Sequence, residues 1–346
     1  MNLKRSLCTV TAILAVTMAL CAPASAVSAQ HAIVTDALTG TVLFEKDADA
    51  RCLIASTTKI MTGLIVCEEC GLDSVVEIPP EAVGIEGSSL YLKAGERVRT
   101  EDLLYGMLLR SGNDAAAALA IDHSGSIEAF ADRMNERAGE LGLNNTHFAN
   151  PHGLDDDENF STCEDLAKLA SFAMQNPDFA RIVSTKEHRF GSHVVTNHNK
   201  LLWRYDGADG VKTGFTKAAG RILVSSAVRS GRRLICVTID APDDWNDHAS
   251  LLDDGFARFE QRRLCEKGQI FGAGLASAAA VDALMLPEEE ISKILVSIGA
   301  EGNGRAEFWT RDGLLAECPL APTGETYGGQ DPEDHSVAGR DLPQGS

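Results

Sequence analysis

Basic residues are scarce in this 346-residue sequence, which has 31 Lys and Arg against 50 Asp and Glu and a formal net charge of −19. A surface that binds nucleic acid needs an excess of Lys and Arg to neutralise phosphates. The charge balance therefore argues against a nucleic-acid partner. Part of the acid lies in short runs, such as residues 155–158 and 288–290, which are typical of solvated faces.

Long apolar runs are missing after the first 30 residues. At the start of the chain, two basic residues precede an apolar run over residues 7–21, and small residues at 24–26 form a cleavage site. This pattern is typical of an export signal, to which we assign residues 1–29, with Ala29 as a second position for cleavage. No other segment approaches the roughly 20 apolar residues of a membrane-spanning helix. We therefore expect an exported protein outside the cytoplasm, in the cell envelope or secreted.

Recognisable metal-binding patterns are also absent from the sequence. Its nine histidines include no His-Glu-x-x-His arrangement, the spacing with which a helix presents two histidines to zinc. His193 and His198 lie five residues apart in a segment that we predict to be extended, and we expect neither to bind metal. We therefore expect an activity that uses no metal and no other cofactor.

Pairing cannot account for all the cysteines. Cys8 and Cys21 leave with the predicted signal, and seven of the nine remain. Because seven is odd, at least one should be unpaired or joined to another chain. Cys67 and Cys70 have redox-motif or metal-ligand spacing, but no second Cys or His pair lies nearby. Two helix-face thiols or a local disulfide are the better interpretation of that pair.

What the sequence does contain is a hydroxyl and an amine three residues apart, in the segment Ala55-Ser56-Thr57-Thr58-Lys59, where a helix is predicted to begin. Residues three apart share a helix face, so the Lys59 amine would lie beside the Ser56 oxygen. A lysine whose pKa is lowered by burial and nearby cations can take the proton of a serine hydroxyl and make it a nucleophile. A capping serine followed by a surface lysine is the alternative for this pair taken alone.

Two further motifs favour the catalytic interpretation. Ser111-Gly112-Asn113 follows an apolar run at a break between predicted helices, and Lys212-Thr213-Gly214 precedes a long β-like segment. Taken singly, they are also compatible with a helix stop and a strand end. Ser-x-x-Lys, Ser-Asp-Asn and Lys-Thr-Gly together mark class A β-lactamases and penicillin-binding proteins. Here the three motifs occur in that order and well separated, which favours one shared cleft.

On these motifs the chain resembles the low-molecular-mass penicillin-binding proteins that act as serine D-alanyl-D-alanine carboxypeptidases. The likeness extends over about residues 32–259 and includes the segments 32–43, 146–154 and 199–203. Two positions depart from the family's pattern. Ile54 stands where proline is frequent, and Phe215 stands where some relatives carry histidine, a change that bears on the shape of the substrate site.

The predicted elements are of the α+β class. Alternating runs around Gly40 predict a β-hairpin over residues 32–46. We predict helices from about 56 and at 101–109, 113–122, 127–141, 164–173 and 248–259, and strands at 211–212, 221–228 and 233–239. Strands at both ends with helices between them suggest one antiparallel sheet covered by helices. The resemblance implies a serine β-lactamase/penicillin-binding-protein-like architecture for this domain, residues 30–262.

The sequence changes character after about residue 262. Short β-like pieces at 294–296 and 307–309 predict a small, partly β region over residues 263–327. Residues 328–346 are polar, acidic and rich in Gly and Pro, and we predict a disordered tail. Because no amphipathic basic helix ends the chain, we expect no strong membrane anchor.

The resemblance implies a role for each motif residue. Ser56 would attack the D-alanyl-D-alanine bond of a peptidoglycan stem peptide, Lys59 would take its proton, and Ser111 would relay a proton to the departing amine. Asn113 would hydrogen-bond the substrate backbone, and Lys212 would place positive charge near Ser56. Thr213, with Thr216 as a second candidate, would hold the terminal carboxylate. Gly214 and Phe215 would complete the substrate-binding residues. Backbone N–H groups of Ser56 and Phe215 would stabilise the oxyanion. β-Lactam antibiotics would be covalent inhibitors.

Two other functions remain open at this point. A class A β-lactamase would need a glutamate that activates water, in a Glu-x-x-Leu-Asn segment between the second and third motifs. The nearest candidate, Glu164-Asp165-Leu166-Ala167, has neither the Leu nor the Asn at the required position. A catalytically silent module that binds peptidoglycan or β-lactam is the second alternative, but a binder has no need for both Ser56 and Lys59. The sequence therefore favours the carboxypeptidase.

Overall fold

The computed structural model of the chain describes residues 27–272, 274–285, 289–298, 304–311 and 313–323. The predicted export signal up to residue 26 and the predicted tail 328–346 lie outside the described residues. The chain divides into two compact units, the first ending at Glu260 and the second beginning at Gln261. Each unit is described by itself.

The first unit contains a five-stranded antiparallel sheet. In chain order its strands are β1 (His31–Asp36), β2 (Val42–Lys46), β9 (Ala208–Thr216), β10 (Gly220–Arg229) and β11 (Arg232–Ile239), and their order across the sheet is β2-β1-β11-β10-β9. The first two strands form the predicted hairpin, which is confirmed, and β1 pairs with β11. The two ends of the domain therefore meet in one sheet, as the order of the predicted elements indicated.

Three two-stranded pairs complete the strands of this unit. They are β3 (Cys52–Leu53) with β6 (Phe160–Ser161), β4 (Val75–Glu77) with β5 (Arg97–Arg99), and β7 (Glu187–Phe190) with β8 (His193–Thr196). All six of these strands have two to four residues, too short to give an alternating pattern that sequence reasoning could recognise.

Helices fill the chain between the hairpin and β9, and one follows β11. They are α1 (Lys59–Glu69), α2 (Thr100–Arg110), α3 (Asn113–Ser124), α4 (Ile127–Glu140), α5 (Cys163–Ala173), α6 (Pro177–Ser184), α7 (Leu201–Arg204) and α8 (Asp244–Arg258). The predicted helices at 101–109, 113–122, 127–141, 164–173 and 248–259 are confirmed in α2 to α5 and α8. Among the described residues, no helix is both long and apolar enough to cross a bilayer.

Helix α1 runs through the core of the first unit. Its first eight residues, from Lys59 to Val66, are all buried. A helix that is enclosed on every side lies inside a domain rather than on its surface. Lys59 is the first residue of this helix, so its amine lies in the interior of the unit. The amine of a surface lysine would instead be in water.

The first described residues are attached to helix α8. The Ser28 backbone N–H donates to Asp247 Oδ1 at 2.9 Å, and the Ser28 hydroxyl donates to Asp247 Oδ2 at 2.7 Å. Ala29 is buried, and its N–H also donates to Asp247. A chain cleaved after Ala26 retains these bonds, whereas cleavage after Ala29 would remove them.

The second unit is built from β-strands, as predicted for this region. Its strands are β12 (Glu260–Cys265), β13 (Ile270–Gly272), β14 (Leu275–Ser277), β15 (Val281–Met285), β16 (Lys293–Ile298), β17 (Gly304–Trp309) and β18 (Leu314–Pro322). Five of them form a sheet in the order β13-β14-β18-β17-β16, and β12 pairs with β15. The β-like pieces predicted at 294–296 and 307–309 lie in β16 and β17.

A buried histidine makes the first unit sensitive to acid. His248 of α8 is fully enclosed, with Nδ1 2.6 Å from the Ser225 hydroxyl and Nε2 2.9 Å from the Thr238 hydroxyl. Burial lowers the pKa of His248 from 6.5 to about 3. The unfolded chain therefore takes up this proton near pH 6.5 while the folded chain resists it until about pH 3. The stability contributed by neutral His248 is present above pH 6.5 and is lost as the pH falls towards 3.

We expect the free energy of unfolding to fall by about 4 kcal/mol from this one group between pH 6.5 and 3. Denaturant titrations across that range measure it. His248→Gln should be less stable at neutral pH but should lose less stability on acidification. An identical pH slope in wild type and His248→Gln would remove His248 as the cause.

Candidate active site

Ser56 lies in a tight turn that delivers it to the start of α1. Residues Ala55–Thr58 form a 3₁₀ turn, and the α-helix begins only at Lys59, so the helix predicted from Ser56 starts three residues later. In a 3₁₀ turn, side chains three residues apart lie directly above one another. The Lys59 Nζ is 3.1 Å from the Ser56 Oγ. The spacing seen in the sequence therefore becomes a direct contact.

The turn is held by unusually close backbone packing. Ala55 has a positive φ of 44°, a strained conformation for a residue with a side chain. Gly153 lies so near that a Cβ on it would come 1.9 Å from the Ala55 carbonyl oxygen and 3.0 Å from the Ser56 backbone nitrogen. Gly214 approaches from the other side, where a Cβ would be 3.4 Å from the same nitrogen. Two glycines thus let neighbouring backbone reach the Ser56 peptide group.

Lys59 is fully buried and bound by two acceptors besides Ser56. Its Nζ donates to Asn113 Oδ1 at 2.7 Å and to the His152 carbonyl oxygen. Burial is the main cause that lowers the pKa of Lys59 well below its ordinary value, and the charge of Lys212 adds to the effect, while Asp114 opposes it. A neutral amine has two N–H groups and one lone pair. Its two N–H groups match the two acceptors, which leaves the lone pair for the Ser56 hydroxyl.

The second motif joins two helices at the site. Ser111 ends α2 with a positive φ of 67°, and Gly112 precedes α3. Asn113 is almost completely buried, with its Oδ1 bound to Lys59 and its Nδ2 donating to the Glu86 carbonyl oxygen at 2.6 Å. Both ends of the Asn113 amide are thus engaged within the protein. The Nδ2 group carries a second N–H, so the hydrogen bond to substrate that is expected of Asn113 does not require either contact to change.

The third motif brings a second buried amine to Ser111. Lys212 lies on β9, and its Nζ is 3.2 Å from the Ser111 Oγ and 2.7 Å from the Thr213 carbonyl oxygen. Burial lowers the pKa of Lys212 to about 7. The predicted catalytic hydroxyls are therefore each matched with a buried amine, Ser56 with Lys59 and Ser111 with Lys212.

These residues open onto a cleft of about 310 Å³. Ser56, Ser111, Thr213, Gly214 and Phe215 all line it. The Phe215 side chain is 65% exposed, so it stands at the rim of the cleft rather than filling it. Thr216 does not line the cleft, because its Oγ1 accepts the Ala219 N–H at 3.0 Å in the turn after β9. Of the predicted substrate-binding residues, Thr213, Gly214 and Phe215 line the cleft, whereas Asn113 and Lys212 are buried and do not line it, and Thr216 is engaged elsewhere.

Several cleft residues were not foreseen from the sequence. The cleft is also lined by Ser88, His198, Lys200, Arg221, Ile222, Asp244 and Trp245. Arg221 is a partly exposed cation whose guanidinium donates to both carboxylate oxygens of Asp244 at 2.8 Å and lies over the Trp245 ring. These three residues come from β10 and from the start of α8. No local motif links them, which is why sequence reasoning missed them.

Asp114 holds one wall of the cleft. Its buried carboxylate accepts the backbone N–H groups of Leu90 and Leu92 at 3.0 and 3.1 Å and the Ser89 hydroxyl at 2.7 Å. The Asn113 N–H donates to the Ser88 carbonyl oxygen in the same segment at 2.7 Å. The residue after the second motif therefore anchors the loop that faces Ser56 across the cleft. The sequence signal for this role of Asp114 was its position directly after Asn113.

The close approach of Gly153 can be tested by substitution. Gly153 has a φ of 82°, and an added Cβ must displace the Ala55–Ser56 peptide. A shift of about 1 Å at a reacting group can cost roughly 10²-fold in rate, so we expect Gly153→Ala to slow covalent labelling by penicillin by that amount. Gly142→Ala is the matched control, because Gly142 has a φ of 69° but open space around it. The control should lose about 1 kcal/mol of stability and no labelling rate. Equal labelling rates in the two variants would contradict this account.

Comparisons with known proteins agree on one family. A family model described as D-alanyl-D-alanine carboxypeptidase matches residues 17–243. The chain is 32% identical to D-alanyl-D-alanine carboxypeptidase DacF of Bacillus subtilis (strain 168) over 302 residues, which cover 83% of this chain and 78% of that protein. It is 36% identical to D-alanyl-D-alanine carboxypeptidase DacB2 of Mycobacterium tuberculosis over 241 residues, 66% of this chain and 82% of the relative. Penicillin binding protein 5 from Haemophilus influenzae has a similar crystal structure, with a TM-score of 0.75 and 28% identity over 86% of this chain and 96% of the other.

Proposed function

The chain belongs to the D-alanyl-D-alanine carboxypeptidase family and is a serine peptidase, and we propose that it is an exported enzyme that removes the terminal D-alanine from peptidoglycan stem pentapeptides. The reaction would pass through an acyl-enzyme on Ser56. The observation that carries this proposal is the contact between the Ser56 hydroxyl and the buried Lys59 amine, at 3.1 Å, within a cleft that the other two motifs also line.

Acylation begins with proton transfer from Ser56 to Lys59. The pKa of Lys59 is lowered because burial and the nearby Lys212 disfavour its cationic form, so a neutral amine is available as base. The Ser56 oxygen attacks the carbonyl carbon of the D-alanyl-D-alanine bond. Negative charge then forms on the carbonyl oxygen, and the backbone N–H groups of Ser56 and Phe215 would stabilise it.

The departing D-alanine needs a proton on its amine. Ser111 is suited to supply it, because its hydroxyl lies in the cleft and contacts the Lys212 amine at 3.2 Å. A proton passed from Lys212 through Ser111 restores the leaving group as a neutral amine. Since the pKa of Lys212 is lowered to about 7, this amine can both give and regain a proton near neutral pH.

The free carboxylate of the substrate requires donors or cations at the other end of the cleft. Thr213 lines the cleft beside Lys212, and Arg221 adds a guanidinium to the same wall. Arg221 is already held by Asp244, which fixes its position and offsets part of its charge. We propose that Thr213 binds the carboxylate, with the buried Lys212 and Arg221 strengthening the positive potential around it.

A β-lactamase would need a carboxylate that activates water against the acyl-enzyme. Glu164, the nearest candidate in the sequence, lies on α5 and lines a different cavity, together with residues of the β1–β2 hairpin. Asp244 is the one carboxylic acid among the residues that line the described cleft, and it is bound to Arg221. Neither group is therefore arranged as the base of a β-lactamase.

A penicilloyl group on Ser56 should consequently persist. The ring remnant of the drug stays over Ser56, whereas the peptide acyl-enzyme loses D-alanine and opens a path for water. We expect the mass of the protein to remain raised by one penicillin long after free drug is removed, for many times longer than one peptide turnover. Intact-mass spectrometry after a short penicillin pulse measures this. A rapid return to the unmodified mass with repeated turnover would make the protein a β-lactamase.

Product analysis tests the proposed function itself. Incubation with a peptide that ends in D-Ala-D-Ala should release free D-alanine, and a peptide ending in L-Ala-L-Ala serves as the control. A β-lactamase would hydrolyse penicillin in many turnovers and release little D-alanine. A silent binding module would do neither. Absence of D-alanine release from a folded protein would overturn the proposal.

A further inference from the structure

Two buried thiols face each other in the second unit, far along the chain from the catalytic motifs. Cys265 ends β12 and Cys318 lies in β18, and their Sγ atoms are 3.6 Å apart. Both are buried, 2% and 0% exposed. Among the described residues, this is the only hydrogen-bond contact between two sulfur atoms. We propose that Cys265 and Cys318 form a disulfide in the exported protein, a bond that closes the second unit.

The position of the two cysteines suits such a bond. A disulfide needs Sγ atoms about 2 Å apart, so side-chain rotation must bring the two sulfur atoms about 1.5 Å closer. Strand β12 pairs with β15, whereas β18 belongs to the five-stranded sheet. The bond would therefore join the two sheets of this unit across their shared core, whose other members are Leu275, Ala306, Phe308 and Leu320.

A covalent link would stabilise the second unit, which is small. Six residues form the buried core of the described part of the second unit, and a domain of fewer than about 100 residues gains limited stability from its apolar core. The two cysteines are 53 residues apart, so the bond encloses most of the unit in one loop. Closing a loop of that length disfavours the unfolded chain by roughly 10³-fold. A disulfide here would supply stability that the core alone does not.

The chemistry requires an oxidant, which the exported state provides. The two thiols give up two protons and two electrons. A second disulfide accepts them by thiol–disulfide exchange and is reduced to two thiols. Compartments outside the cytoplasm maintain such oxidants. Burial raises the pKa of Cys265 to about 11, which suppresses its thiolate in the packed unit. The bond therefore forms while the unit folds and is afterwards shielded from exchange. This inference rests on the proposed export of the enzyme.

The other five cysteines of the described chain all belong to the first unit. Cys163 and Cys236 are buried in the first unit, and burial raises the pKa of both thiols. Burial also raises the pKa of Cys67 to about 12, and Cys70 follows the end of α1. Thiols of this kind are unreactive. One bond between Cys265 and Cys318 leaves five free thiols, an odd number, as the cysteine count requires.

Thiol counting on the full mature chain tests the proposal. Protein starting at Val27 is purified with reductant, refolded from denaturant in a buffer of reduced and oxidised glutathione, and quenched with acid. Alkylation and intact-mass spectrometry should then count five free thiols, and seven after reduction. Peptide mapping should recover one cross-linked pair that contains Cys265 and Cys318. Seven free thiols, or a cross-link between Cys67 and Cys70 instead, would overturn the proposal.

Two variants separate this bond from the others. Cys318→Ser should lose the cross-link, whereas Cys70→Ser should retain it. Reduction of the folded wild-type protein should shift the unfolding equilibrium of the second unit by roughly 10³-fold, a measurement that holds even if Cys318→Ser folds poorly. Penicillin labelling of Ser56 is measured in parallel. A protein that forms the cross-link but is not labelled at Ser56 would refute the proposed function and not the disulfide.

Discussion

Ser56→Ala is expected to abolish both D-alanine release and covalent labelling by penicillin. The variant removes the one atom that we propose forms the acyl bond and leaves its neighbours in place, since Ser56 lies partly exposed at the cleft in a turn fixed by Gly153 and Gly214. Loss of the nucleophile of a serine hydrolase lowers the rate by roughly 10⁴-fold or more. Release of D-alanine and mass labelling, measured on the same preparation, give the two readings.

The control for this variant is Ser171→Ala on α5. Ser171 is also a partly buried serine, but its hydroxyl donates to the Ala167 carbonyl oxygen and it lines a cavity away from the cleft. It should keep wild-type rates. Thermal unfolding should show that Ser56→Ala remains folded. Persistent labelling of folded Ser56→Ala, at any other residue, would remove Ser56 from the role of nucleophile.

Lys59→Ala should slow acylation by several orders of magnitude, roughly 10³-fold, because the base that accepts the Ser56 proton is lost. Burial of the side chain complicates this variant. Alanine leaves a cavity and two acceptors, Asn113 Oδ1 and the His152 carbonyl oxygen, without their donor. A second variant, Lys59→Met, fills the space but has no proton acceptor of comparable strength.

Stopped-flow measurement of acylation by a chromogenic β-lactam distinguishes the two roles of Lys59. If it acts as the base, both variants are slow. If it only packs, Lys59→Met recovers the wild-type rate while Lys59→Ala does not. The exposed Lys168→Ala serves as the control for loss of a lysine charge. A wild-type acylation rate in Lys59→Met would contradict the proposed mechanism.

Local spacing explains why part of the site could be predicted from the sequence. Ser56 and Lys59 are three residues apart, and both a 3₁₀ turn and an α-helix bring residues at that spacing together. The sheet could also be predicted, because β10 and β11 are long and largely buried runs. The predicted serine β-lactamase/penicillin-binding-protein-like architecture is confirmed by the similar structure of penicillin binding protein 5.

Other parts of the site depend on contacts between distant segments and left no local pattern. The 3₁₀ turn at Ala55 exists because Gly153 and Gly214 pack against it from about 100 and 160 residues away in the chain. Arg221 reaches the cleft through its pairing with Phe215 across β9 and β10 and through Asp244. These contacts between distant segments form only in the tertiary fold, so a local sequence motif does not predict them.

Titration of D-alanine release with penicillin tests the central claim most directly. The wild-type protein is mixed with increasing amounts of penicillin, and the remaining release of D-alanine from a D-Ala-D-Ala peptide is plotted against the fraction of Ser56 acylated, determined by peptide mass spectrometry. We expect release to fall linearly to zero when one penicillin is bound per chain at Ser56. Release of D-alanine that continues with every Ser56 acylated would contradict the assignment of Ser56 as the catalytic nucleophile.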